Sequence, residues 1–504
     1  MLLALLGGCM VTTRGLSNVV WVLLLANWLL EGRWHEKWQM AKESRLLHAV
    51  LALWLMYMSA FLLGNDPSKV FRMLETRLVI LTVPLVILTT PPPKGQARNF
   101  ILGFYITTVL VVSVIGGVRL ATIPDLPYRN AVPFMSHIRF ALNCCIVIIL
   151  LVLNIKKRPT FPSPISSHFT FLVSHFTFLR WLVILWLVLY LLLIRSYTAF
   201  FMLAVVSLVL ILCRYWSWKR FGVWMAVITL LVGAIVWGCH SYYSLSPQAT
   251  ASLPSTTANG RPYIHRQDGL VENGNYVNNY LCLEELHTEW PRHSSRPLDS
   301  VTADGYTLEP ILIRYLNALG LPKDSSGVAQ LTASQVADIE HGIPNPVYAH
   351  SWLGKRMLYV MLFEIENYRC YHAVTGFTML QRIELWRATL RVIAKHPWWG
   401  CGMADMRDAM DAESRAIGSP LADSGFYPHN QYLSWMATFG IAGFAIVLLF
   451  FLRASPALRR QDPWLVTWMV VVLLSFLTED TLGSIAGRLF CTWFLAFRKP
   501  IEMD

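Results

Sequence analysis

The sequence predicts an all-α polytopic membrane protein with about 12 transmembrane helices and one large helical loop outside the bilayer. Three observations carry this. Of 504 residues, 55 % are hydrophobic and only 14 % are Asp, Glu, Lys or Arg, against about 25 % charged in an ordinary soluble domain. Apolar runs recur along most of the chain, and a soluble fold of this length cannot bury that many. The net charge of +12 is also split. Residues 240–428, the one long polar stretch, hold 15 basic and 19 acidic residues, whereas the remainder holds 27 and 11. A nucleic-acid binder carries its basic surface on a soluble module. Here the positive charge lies with the apolar part, so membrane lipids, and no nucleic acid, are the expected surroundings.

Twelve apolar segments follow one another: 2–12, 17–30, 46–63, 74–90, 100–119, 138–154, 180–194, 197–213, 221–239, 431–452, 464–477 and 482–497. Several are shorter than the ~20 residues of a straight span, and the first two also suit a re-entrant pair. The segments divide the chain into an N-terminal membrane bundle of about nine spans (1–239), an external loop domain (240–430) and a C-terminal bundle of about three spans (431–504).

The connections alternate in charge. One set contains Arg33, Lys37, Lys42, Arg45, Lys94, Arg98, Lys156, Lys157, Arg158, Arg214, Lys219, Arg220, Arg453, Arg459, Arg460, Arg498 and Lys499. The other contains Arg14, Lys69, Arg72, Arg119, Arg129 and Arg195. Basic residues accumulate on the cytoplasmic side, which puts both termini inside and residues 240–428 outside. Leu6-Gly7-Gly8-Cys9 faintly resembles a lipoprotein cleavage site, but no basic residue precedes it, so no cleaved signal is expected. Residues 162–180 repeat His-Phe-Thr-Phe-Leu at His168 and His175 and read as an interfacial linker.

The external region has two characters. Residues 244–310 are rich in Pro, Ser, Thr, Asn and Gly and read as loop. From Ile311 the pattern turns helical, with short helices at 311–319 and 331–339, a longer one at 348–366 and an amphipathic helix at 378–395. In the last, Leu380, Ile383, Trp386, Leu390 and Ile393 recur every three or four residues, and Pro397 ends it. Cys239, Cys282, Cys370 and Cys401 fall in or beside this region, where three full pairings are open. No CxxC or HExxH spacing occurs, so no metal site is expected. Arg382 and Arg387 on the amphipathic helix have two readings: a solvated face, or forks for a phosphate. Arg195 is sharper, because it ends an apolar span on the side poor in basic charge.

The chain reads Arg382-Ile-Glu-Leu-Trp386, then His396-Pro-Trp-Trp-Gly-Cys-Gly402, then Pro428-His429-Asn430-Gln431 and, nine residues on, Gly440. This order resembles the O-antigen ligase family of the ligase/polymerase superfamily. The likeness extends to the span count, the dominant external loop and Arg195-Ser196. It implies an all-helical membrane bundle with a helical periplasmic lid, in a bacterial inner membrane with a periplasmic active site. It also implies a glycosyltransferase that uses no nucleotide sugar, metal or other cofactor. Such an enzyme transfers an undecaprenyl-pyrophosphate-linked glycan to a sugar hydroxyl of lipid A–core.

That chemistry needs a base for the acceptor hydroxyl, and fixed positive charge for the leaving pyrophosphate. The resemblance assigns the base to His429 and the charge to Arg195 and Arg382. His429 follows Pro428, a residue common at helix starts, and opens the tenth span, so it is expected in the first turn of that helix at the external surface. Arg387, Arg139 and Arg261 are weaker candidates for pyrophosphate binding. Asn430, Glu479 and Asp480 are supporting residues, the two acids by orienting His429. A polymerase joining two carrier-linked units, a protein O-oligosaccharyltransferase and a lipid-glycan transporter are the rivals. The single large external loop favours ligase over polymerase, and the near absence of acids deep in the spans argues against transport.

The topology is directly testable. Cysteine labelling from outside reaches a probe placed at Ser255 and misses one at Lys157; the reverse pattern overturns the orientation.

Overall fold

The computed structural model describes residues 1–63, 66–124, 126–153, 177–213, 218–243, 253–267, 269–302, 305–374, 378–459 and 462–499. The His168 and His175 repeat lies outside the described residues. Among the described residues the fold is all-α, with one two-stranded hairpin. Helix occupies each of the twelve apolar segments. Among the described residues, four helices are long and apolar enough to cross a membrane: Arg45–Leu62, Gly95–Thr122, Met225–Tyr243 and Gln431–Ser455. A fifth is added if Gly15–Leu30 and Trp34–Glu43, bent by 113° at their break, are taken together. Leu2–Thr12 and Arg14–Leu30 meet at Thr13, whose side chain accepts from the Leu16 N–H and caps the second helix.

The chain packs as two compact units, Met1–Tyr215 with Arg382–Asp504, and Trp216–Gln381. The second unit is built on Leu286, Trp290, Leu312 and Leu316, all fully buried. Among its buried charges is Glu272, which receives two N–H groups of Arg314 at 2.8 Å and the Asn345 amide at 2.8 Å. A carboxylate removed from water persists because each oxygen is hydrogen-bonded. The hairpin Val271–Glu272 and Asn275–Tyr276 turns through Asn273-Gly274, both left-handed, the pair that a two-residue hairpin favours. A short helix, Leu283–Glu289, follows. The reading of 244–310 as plain loop is therefore corrected over its described part. Strands of two residues and a helix of seven are too short to show periodicity.

In the first unit the helix Gln431–Arg459 breaks at Gly440, which has φ 68° and ψ 179°. The break frees backbone groups on both sides, and residues 397–402 take them up. The N–H groups of Cys401 and Gly402 donate to the carbonyls of Ala437 and Thr438 at 2.9 and 3.0 Å. Those of Ile441 and Ala442 donate to the carbonyls of Pro397 and Trp398 at 2.8 and 3.2 Å. Four otherwise orphaned pairs are satisfied. The approach demands glycine: a Cβ on Gly440 meets the Trp398 carbonyl oxygen at 2.1 Å, and one on Gly400 meets that of Thr438 at 2.3 Å.

Gly440→Ala carries ~1–3 kcal/mol of backbone strain, because this pairing of φ and ψ is essentially glycine's alone, before that clash is counted. It should lower the unfolding temperature of the detergent-solubilised protein by several degrees. Gly15→Ala, with open space around it, should not. Equal melting of the two variants contradicts the docking.

Candidate active site

The sequence motifs converge where the Gln431–Arg459 helix begins. Asn430 caps that helix, its Oδ1 accepting from the N–H groups of Tyr432 and Leu433, each at 3.1 Å. His429 was expected in the first helical turn behind an initiating Pro428. It stands one residue outside the cap instead, because the Asn side chain satisfies the first orphan donors. Its backbone is left-handed, φ 50°, a conformation uncommon outside glycine and found where surrounding contacts impose it. Two contacts do so here. The His429 N–H donates to Asp480 Oδ2 at 3.0 Å, and Trp386 Nε1 donates to the Pro428 carbonyl at 2.7 Å. The imidazole remains 40 % exposed, with Nδ1 3.8 Å from Glu479 Oε2, ion-pair distance rather than a hydrogen bond.

Glu479 is the centre of the cluster. Its side chain is 10 % exposed, and the same Oε2 lies 3.9 Å from Arg139 Nη2. Arg382 is also within its electrostatic reach. Burial pushes the Glu479 carboxyl up, but His429, Arg139 and Arg382 outweigh it and hold it below the ordinary carboxylate range. Arg382 is itself pushed down by burial, with Glu479 opposing. Arg139 keeps a buried Nε without a hydrogen-bond partner.

The neighbouring Asp480 behaves oppositely. Burial is its largest influence and raises it, partly offset by the Ser434 hydroxyl and His429. Ser434 Oγ–H and the His429 N–H share this carboxylate. Gln431 fixes the same turn, its Oε1 accepting from the Leu482 N–H at 3.1 Å.

The other expected residues sit at different distances from this centre. Arg195, also left-handed at φ 50°, stacks over the Tyr128 ring at 5.0 Å. Tyr128 meets His137 edge-to-face at 5.9 Å, and His137 is within electrostatic reach of Glu479. Arg195 is thus linked to the cluster through two aromatic rings. Arg387 follows Arg382 by five residues, ~140° around a helix of 3.6 residues per turn. It pairs with Glu384 of its own helix at 3.9 Å and is 62 % exposed. Arg261 belongs to the second unit, where it pairs with Glu284. Sequence reasoning did not single out Ser434, Tyr128 or His137. Trp386 was visible as part of a motif and of the apolar stripe of its helix.

Two cavities adjoin this turn. One, about 230 Å³, is lined by Asp480, Ser434, Gln431, Arg77 and Tyr57. The other, about 120 Å³ and almost wholly apolar, shares Trp435 and Leu482 with the first.

Residues 346–448 match the family described as O-antigen ligase. The resemblance carried by the motifs is thereby shown, for a family whose members are glycan-transferring enzymes. No curated protein matches the chain. The O-antigen ligase match spans Arg382, the glycine-rich turn, His429 and the Gly440 break. Arg139, Arg195, Glu479 and Asp480 lie outside it and join the site through the fold.

A group held below its unfolded value stabilises the protein above that value, and this is lost as pH falls through the lowered one. Glu479 is such a group, so acid unfolding of the wild type should include a step, beginning below the ordinary Glu range near ~4.3, that Glu479→Gln lacks. Identical stability-versus-pH curves contradict the pairing.

Proposed function

We propose that this chain is an O-antigen ligase. It takes a glycan from undecaprenyl pyrophosphate and transfers it to a sugar hydroxyl of lipid A–core at the periplasmic face of the bacterial inner membrane. The observation that carries this reading is the convergence of His429, Arg139 and Arg382 on one buried carboxylate, Glu479, with His429 and Arg382 inside the matched region. The reading includes about twelve spans, cytoplasmic termini and residues 240–430 in the periplasm, as the distribution of basic connections supports.

In this account the imidazole of His429 takes the acceptor hydroxyl proton as the oxygen attacks the anomeric carbon. The bond from that carbon to the pyrophosphate oxygen breaks, and the carrier leaves with both electrons. Arg382 and Arg139, with Arg195 behind Tyr128, offset the charge growing on the pyrophosphate. A guanidinium suits this work because its planar fork meets phosphate oxygens in pairs. Glu479 orients the imidazole and favours the imidazolium formed during transfer, as a carboxylate beside a catalytic histidine does. Asp480 holds the His429 backbone. The single large polar region supports ligation over polymerisation, which engages two carrier-linked substrates.

His429→Ala should abolish transfer from lipid-linked donor to lipid A–core while donor binding persists; a wild-type rate in the purified variant refutes the role. Arg195→Ala and Arg382→Ala should each cost ~3 kcal/mol of transition-state stabilisation, about a hundredfold in rate. The Lys variants should fall between, because they keep the charge and lose the fork. Wild-type turnover by either Ala variant removes that residue from the site.

A further inference from the structure

Glu479 and Asp480 are adjacent in the chain but serve different surroundings. Glu479 faces the arginine cluster, whereas Asp480 lines the cavity of about 230 Å³. That cavity holds two guanidiniums. Arg488 is spent on the frame: its Nε donates to the Leu482 carbonyl, Nη2 to that of Gly483, and Nη1 to that of Thr76. Arg77 is not. Its guanidinium carbon lies over the Tyr57 ring at 5.4 Å and Nη1 donates to the Met73 carbonyl at 2.9 Å, but Nε is buried without a partner. The Tyr57 hydroxyl accepts from Trp435 Nε1 at 3.0 Å, so the surface beneath Arg77 is fixed. Hence the cavity combines aromatic surface, polar side chains and an unspent guanidinium donor, and it reaches Asp480, which holds the backbone of His429.

We propose that this cavity is the subsite for the accepting sugar, and that Arg77 is its specificity-determining residue. The inference rests on the proposed transfer reaction and names the second substrate's place in it. A transferase of this kind needs its two substrates on either side of the base. The arginine cluster at Glu479 occupies the donor side, and the Asp480 side holds the open space. Aromatic faces and hydrogen-bonding groups are what a sugar ring requires. Two guanidiniums against one carboxylate leave the lining positive. The ring it suits therefore carries a negative substituent, a phosphate or a carboxylate, beside the accepting hydroxyl. Arg77 meets that substituent with its guanidinium.

The test uses the full-length detergent-solubilised protein and two probes, deacylated core oligosaccharide and undecaprenyl pyrophosphate. Arg77→Met keeps an unbranched side chain of similar reach and removes the charge, with the guanidinium over Tyr57. It should weaken core-oligosaccharide binding by about tenfold or more, the loss expected for a charge-assisted hydrogen bond, with carrier binding unchanged. Arg77→Lys should fall between, and transfer should show a raised KM for acceptor at an unchanged kcat. Dephosphorylated core that binds as weakly to wild type as intact core binds to Arg77→Met identifies the substituent as phosphate. Undiminished binding assigns it to a carboxylate. Core binding unchanged in Arg77→Met, or carrier binding lost with it, overturns the proposal. Arg77-dependent core binding by a wild type that transfers nothing upholds the subsite and sinks the ligase reading instead.

Discussion

The arrangement depends on the docking of residues 397–402 against the break at Gly440. A helix that opens in an apolar unit exposes carbonyls and N–H groups at a cost of several kcal/mol each unless they are paired. Here four backbone hydrogen bonds close the gap. The docked turn ties the end of the helix bearing Arg382 to the helix that His429 precedes. The same amphipathic helix reaches His429 directly, through Trp386 and the Pro428 carbonyl. The motif residues thus form one mechanical unit: glycines allow the approach, the tryptophan sets the distance, and arginine and histidine are presented together.

Around that unit the two adjacent acids divide the electrostatics. Glu479 is an anion held low by His429, Arg139 and Arg382, while burial raises Asp480. The first keeps arginines near one another that would otherwise repel in a poorly solvated place. The second holds a backbone in a conformation that histidine adopts reluctantly, with Ser434 as a further donor. Replacing the ligands of either acid leaves a buried carboxylate short of partners, so the site should respond to changes in groups that never touch substrate.

Much of this was legible in the sequence, for identifiable reasons. Apolar runs located the helices because burial in lipid or protein requires them. The amphipathic helix was read at 378–395 and is found at Thr378–Lys395, since its spacing is regular and a proline follows. Arg382, His429 and the paired acids were legible from motif order and from charge in an otherwise apolar hairpin. The register at His429 was misread, because Pro428 is a common helix starter but Asn430 is the better cap. Ser434, Tyr128 and His137 were invisible, since nothing local marks a side chain whose partner lies far along the chain. Hydropathy groups residues 382–430 with the polar stretch, whereas their contacts place them with the N-terminal helices. A polar surface laid over an apolar unit looks the same in sequence as a separate domain.

The central claim is that the cluster at Glu479 serves to join a carrier-linked glycan to a lipid acceptor. The most direct measurement is the lipopolysaccharide profile of the host cell with and without this gene, read together with its carrier-linked glycan pool. The account predicts that deletion removes the ladder of long-chain species while full-length glycan accumulates on the carrier. A ladder reduced to single-repeat caps would mean that the protein polymerises the glycan instead. A ladder and carrier pool unchanged by deletion would contradict the claim outright.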